Sequence, residues 1–136
     1  MERGSAVRAC RPVSIRCLTA KVLVIDDDQD FRALARELLE QAGMEVIEAA
    51  DGCRCLQKAP LDVDVVIVDM VMPDQDGIAT LCLLKHRLLK AKFIAISGAY
   101  ESSVFLGISA RLGASAILHK SDVAGLPALV NRLLDS

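Results

Sequence analysis

Residues 63–77 read VDVVIVDMVMPDQDG, and this stretch decides the fold. Val65, Val66, Ile67 and Val68 form an unbroken β-branched run that ends on an acid, Asp69. A strand with one face in water alternates apolar and polar residues. A continuous apolar run is the pattern of a strand buried on both faces, as in a parallel sheet covered by helices.

Working outward, the same shape recurs. Residues 21–26 read KVLVID, 93–97 read FIAIS and 116–119 read AILH, with a weaker fifth run at 44–49 centred on Val46 and Ile47. Helical periodicity fills the gaps. Phe31, Leu34, Ala35, Leu38 and Leu39 make one stripe, with Gly43 as its stop. Ile78, Leu81, Leu84, Leu88 and Leu89 make a second, and Leu126, Leu129, Val130, Leu133 and Leu134 a third. Weaker helices are expected at about 52–58 and 102–112. Strand and helix thus alternate five times, which predicts an α/β fold: a doubly wound five-stranded parallel sheet with helices on both faces.

Composition is consistent with one such domain. The chain has 136 residues, 53% of them hydrophobic, with three Phe, one Tyr and no Trp, so Leu, Val, Ile and Ala must fill the core. A formal net charge of −2 gives no wholesale attraction to nucleic acid or membrane. No apolar run reaches the roughly 18 residues of a membrane span. Cys10, Cys17, Cys53, Cys55 and Cys82 are odd in number and lack zinc-site spacing, so they read as free thiols of a reducing cytoplasm. Residues 1–20 carry Arg3, Arg8, Arg11 and Arg16 against one acid, Glu2, and read as a basic, disordered extension before a domain at 21–136.

Ligands of an open parallel sheet bind outside the carboxyl ends of its strands. There the first run ends in Asp26, Asp27 and Asp28, the third in Asp69, the fourth in Ser97 and the fifth in His119 and Lys120. Acids crowded together raise each other's pKa unless a cation neutralises them. Asp26, Asp27 and Asp69 offer the hard oxygen ligands that magnesium prefers. A carboxylate is also a nucleophile toward phosphorus. Asp69 as nucleophile, Lys120 as a compact cation and Ser97 as a hydrogen-bond donor would each meet a phosphoryl oxygen or its phosphorus.

The strings VLVIDDDQDFR, DGCRCL, DVVIVDMVMPDQDGI, FIAISG and GASAILHK together resemble the receiver domain of two-component response regulators, over about residues 21–134. The resemblance implies a flavodoxin-like strand order 2-1-3-4-5. It implies a phosphoacceptor at Asp69, with Mg2+ held by Asp26, Asp27, Asp69 and the backbone carbonyl of Val71. Ser97 matches the switch hydroxyl and Lys120 the lysine of the site. Pro73 and Gly77 match the loop that leads into the following helix. A histidine kinase or histidine phosphotransfer protein would be the donor. Output would go through a downstream protein target, without direct binding of nucleic acid or membrane, in the cytoplasm. Since the chain ends at Ser136, just after the last stripe, a stand-alone single-domain switch is expected rather than a turnover enzyme.

Three positions depart from the family pattern. Ser121 follows Lys120 where a proline, often after a cis bond, is usual; a non-proline cis bond costs roughly 3 kcal/mol, so a trans bond and a rearranged loop are expected. Ile117 stands at the switch position, where Tyr or Phe is usual. The output surface is still expected on the fourth helix, fifth strand and fifth helix. Val71 and Ala99 cannot orient a hydrolytic water, which implies slow self-dephosphorylation. The competing reading is a receiver-fold binding module that works without phosphorylation. An aspartate-nucleophile phosphatase would need a second acid two residues after Asp69, where Val71 stands.

The remaining polar residues have plainer readings. Asp28 and Asp30 suit the start of a helix, and Asp74 and Asp76 a turn. Asp64 and His86 read as solvent-facing, and His119 as a surface residue.

Overall fold

The computed structural model describes residues 20–50, 62–72, 75–88, 90–98, 107, 111 and 113–135. The expectations for residues 1–19, for the helix at 52–58, for most of the helix at 102–112, and for Pro73, Asp74 and Ala99 lie outside them.

Five strands form one parallel sheet: β1 (Lys21–Ile25), β2 (Glu45–Ala49), β3 (Val65–Asp69), β4 (Lys92–Ser97) and β5 (Ala116–His119). Their spatial order is β2-β1-β3-β4-β5, the order that the resemblance implies. All five residues of β3 are buried, as its unbroken apolar run requires. β5 lies at the edge and is only partly covered.

The helices described are α1 (Gln29–Gln41), α2 (Gly77–Arg87) and α3 (Leu126–Leu134). On one face of the sheet, Phe31, Ala35 and Leu39 of α1 and Leu126, Leu129, Val130 and Leu134 of α3 pack on Val22, Val24, Val65, Ile67, Ile94 and Ile96. On the other, Leu84 of α2 and the following Leu88 pack on Leu23, Ile25, Val66, Val68, Phe93 and Ala95. Alternate residues of each central strand thus feed opposite cores, the period-two geometry of a strand covered twice. Truncating a fully buried leucine such as Leu84 to alanine would cost about 2–5 kcal/mol.

Asp28 caps α1: its carboxylate accepts from the backbone N–H groups of Asp30 and Phe31. Gly43, at φ 88°, takes the left-handed turn that ends it. Leu34, placed in the α1 stripe from its spacing, is 43% exposed, because the buried stripe runs through Phe31, Ala35 and Leu39 at strict i, i+4 spacing. Asp64 also differs from its solvent-facing reading. Its carboxylate accepts the Lys21 backbone N–H at 2.8 Å and satisfies the first donor of β1.

After β3 the chain makes a short antiparallel ribbon, Val71–Met72 with Gln75–Asp76, and enters α2 at Gly77. After β5, residues Lys120–Gly125 form a 3₁₀ turn that leads into α3. Among the described residues no peptide bond is cis, so Lys120–Ser121 is trans as expected. No described helix is long and apolar enough to cross a membrane.

Candidate acidic site at the carboxyl edge of the sheet

β1 and β3 are neighbours, but the chain leaves β1 for one side of the sheet and reaches β3 on the other. This is the topological switch point, where the two connections diverge and open a crevice. Asp26 follows β1 and Asp69 ends β3, so the two acids stand on either side of it. Asp26 and Asp69 are buried, whereas Asp27 stands exposed at the rim. One carboxylate oxygen from each of the three lies within 4.8 Å of the others. The structure thus brings together the three acids that the sequence pointed to.

Lys120 closes the crevice from β5. Its ammonium lies 2.7 Å from Asp26 Oδ2 and 3.3 Å from Asp69 Oδ2. Two buried carboxylates sharing one cation is an arrangement in which charge neutralisation outweighs desolvation only at close range. Burial pulls the Lys120 ammonium down, but the hydrogen bond to Asp26 and the charges of Asp69 and Asp26 outweigh it, and its pKa stands above 10.5. Asp27 shifts up from 3.8, first through partial loss of hydration and then through the charge and hydrogen bond of Asp26. Ser97, at the end of β4, is buried at the same edge.

Several supporting residues were not evident from the sequence. Asp26 Oδ1 accepts the backbone N–H of Asp28 at 2.9 Å, and Arg32 donates through Nη1 to the Asp26 carbonyl. The Arg32 Nε is 3.1 Å from Glu48 Oε1, and the Arg36 Nε is 2.9 Å from Glu48 Oε2. Arg36 also donates to the Val46 carbonyl at 2.7 Å. Glu48 on β2 therefore clamps two arginines of α1, one of which holds the backbone of an acid of the site. Lys120 also lies over the Phe31 ring, 4.7 Å from its centroid. Its stem passes Gly98, where an added Cβ would come 3.3 Å from Lys120 Cδ. The spacing of Arg32 four residues after Asp28 was a visible helical signal. The partner strand of Glu48 was not.

His119 is half-buried and caps the 3₁₀ turn rather than simply facing solvent. Val71 lies in the ribbon two residues past Asp69. Ile117 is 47% exposed on the edge strand. Cys82 is exposed and free, and His86 is exposed as expected.

Three carboxylates, two of them buried, form a hard-oxygen donor set suited to a divalent cation such as Mg2+. The Lys120 ammonium beside them supplies a further positive charge for an anionic group.

Known proteins are similar to this chain in both sequence and fold. The chain is similar to the transcriptional regulatory protein CpxR of Escherichia coli K12, 39% identical over 66 residues, 48% of this chain and 28% of that protein. It is 35% identical over 103 residues to protein-glutamate methylesterase/protein-glutamine glutaminase 5 of Myxococcus xanthus, 74% of this chain and 30% of that protein. The matches therefore span less than a third of either relative's length. Among solved structures, the response regulator receiver domain protein of Clostridium thermocellum has a TM-score of 0.75 at 28% identity, covering 85% of this chain and 94% of that one. The CheY-like receiver domain protein of Methanospirillum hungatei has a TM-score of 0.73 at 27% identity, covering 86% and 94%. The pattern of the response regulator receiver domain matches residues 22–131, a span that runs through every strand and through Asp26, Asp69, Ser97 and Lys120, and so the chain belongs to that family.

Proposed function

We propose that this receiver domain is a phosphorylation switch: Asp69 accepts a phosphoryl group from a histidine kinase or histidine phosphotransfer protein. The observation that carries this reading is Lys120, which comes from the far end of the chain to within 3.3 Å of the Asp69 carboxylate. A carboxylate oxygen of Asp69 attacks phosphorus, an O–P bond forms, and the bond from phosphorus to the donor breaks, with its electron pair leaving on the donor. Lys120 meets one equatorial oxygen and the Ser97 hydroxyl donates to another. Asp26, Asp27, Asp69 and the Val71 carbonyl would hold Mg2+. That ion supplies charge neutralisation at the remaining oxygen when bound. Crowded acids at the rim and base of the crevice otherwise repel an incoming phosphoryl group.

The chemistry is confined to the protein itself: acceptance on Asp69 and slow hydrolysis of the aspartyl phosphate, because Val71 and Ala99 cannot orient a water. Output passes to a downstream protein target rather than to nucleic acid or membrane, in the cytoplasm. Residues 21–136 are the folding unit, joined by Ala20, which is buried in the core, and the residues before it are a basic extension.

The test is incubation with acetyl phosphate and Mg2+, followed by intact mass measurement. The wild type gains one phosphoryl mass, and Asp69→Asn does not. No gain in the wild type contradicts the reading. The exposed aliphatic Ile117 at the switch position favours a second reading, a binding module independent of phosphorylation. Signalling that survives Asp69→Asn in cells would select it.

A further inference from the structure

We propose that His119 is a positioning residue for Lys120: its imidazole clasps Ser121 and sets the turn from which the lysine reaches the buried acids. This deepens the phosphoacceptor reading and rests on it.

Lys120 is the first residue of the 3₁₀ turn, immediately after an edge strand with one neighbour. Its stem is confined by Gly98 on one side, and its ammonium by Phe31, Asp26 and Asp69. What remains free is the backbone that launches the side chain. His119 removes that freedom. It has extended backbone angles, φ −81° and ψ 143°, and its Nδ1 accepts the Ser121 backbone N–H at 3.2 Å. The Ser121 hydroxyl lies 2.9 Å from the same nitrogen. Both contacts span Lys120, so they close a small ring around it. A first-turn N–H that would otherwise lack a partner is satisfied, and the direction of the lysine is fixed with it. The acceptor role requires a lone pair at Nδ1.

His119 touches neither carboxylate and acts only through Lys120. Its removal should therefore alter the lysine before it alters the fold. Asparagine offers an acceptor oxygen at a cap without the ring, so His119→Asn is the conservative variant. The experiment compares wild type, His119→Ala and His119→Asn. One readout is the NMR signal of the Lys120 Cε and Nζ in the unphosphorylated protein. The other is the saturating rate and half-saturating concentration of acetyl phosphate, with Mg2+ present.

The expected result for His119→Ala is a displaced Lys120 signal and a saturating rate lowered roughly three- to tenfold. The half-saturating concentration changes less, and His119→Asn stays close to wild type in both readouts. An unchanged Lys120 signal and rate in His119→Ala overturns the proposal. So does a folded His119→Asn as impaired as the alanine variant. If the wild type takes up no phosphoryl group, the phosphoacceptor reading fails, and the clasp is still decided by the Lys120 signal, which needs no phosphodonor.

Discussion

Lys120 and Asp26 approach to 2.7 Å, closer than Lys120 and Asp69 at 3.3 Å. The cation of the pocket therefore rests first on an acid that the proposed function gives to the metal, and second on the nucleophile. A lysine in that position offsets part of the charge of the crevice, and would compete with a divalent cation for Asp26.

Lys120→Met separates these two roles. Mg2+ affinity measured by calorimetry should stay level or tighten, because a competing charge is gone. The rate of phosphoryl uptake should fall at least roughly tenfold, because a donor to the transferring group is lost. Loss of Mg2+ binding in this variant would show that the lysine supports the metal site instead.

The shift on Asp27 gives a pH dependence of stability. Its folded pKa lies above 3.8, so the folded state binds more protons than the unfolded state between 3.8 and that higher value. Stability from this group therefore falls as pH rises through that window, and the cost persists at neutral pH. Asp27→Asn should raise the thermal midpoint at pH 7 by roughly 1–3 °C while weakening Mg2+ binding. Melting curves at acid and neutral pH check the sign: the gain shrinks as pH falls toward 3.8.

Lys120 stabilises at neutral pH where Asp27 costs stability, although both contributions fall as pH rises. The folded pKa of Lys120 is raised above 10.5, so its ion pairs contribute fully below that value and are lost as pH rises through the folded pKa. The stability difference between wild type and Lys120→Met in urea should stay flat from about pH 6 to 9 and diminish only in strong alkali.

Glu48 ties α1 to β2 through Arg32 and Arg36, and Arg32 holds the Asp26 carbonyl. These side chains are partly buried, so Glu48→Gln should destabilise by about 1–2 kcal/mol, between the ranges for exposed and buried pairs. Urea midpoints measure this. A change below roughly 0.5 kcal/mol would place the clamp among surface pairs without consequence.

The sheet was legible because its central strands are buried on both faces, and residues 65–68 and 94–96 show that burial as unbroken apolar runs. The acids were legible because strand ends in such a sheet share one edge, which puts Asp26 and Asp69 together although 43 residues of sequence separate them. Leu34 misled because helical spacing alone cannot tell the centre of a stripe from its border. Glu48, Phe31 and Gly98 escaped for another reason. Their roles depend on which side chains of different elements meet, and neither periodicity nor motif encodes that. His119 was read as a surface residue, but the strand ends there and the ring turns back to cap the 3₁₀ turn.

The crevice is proposed to serve Asp69 as the phosphoacceptor. Reductive trapping with borohydride after treatment with acetyl phosphate and Mg2+, with peptide mapping of the product, locates an acyl phosphate directly. Conversion is expected at Asp69 and at no other acid. A trapped label at Asp26 or Asp27 with Asp69 untouched would contradict that expectation.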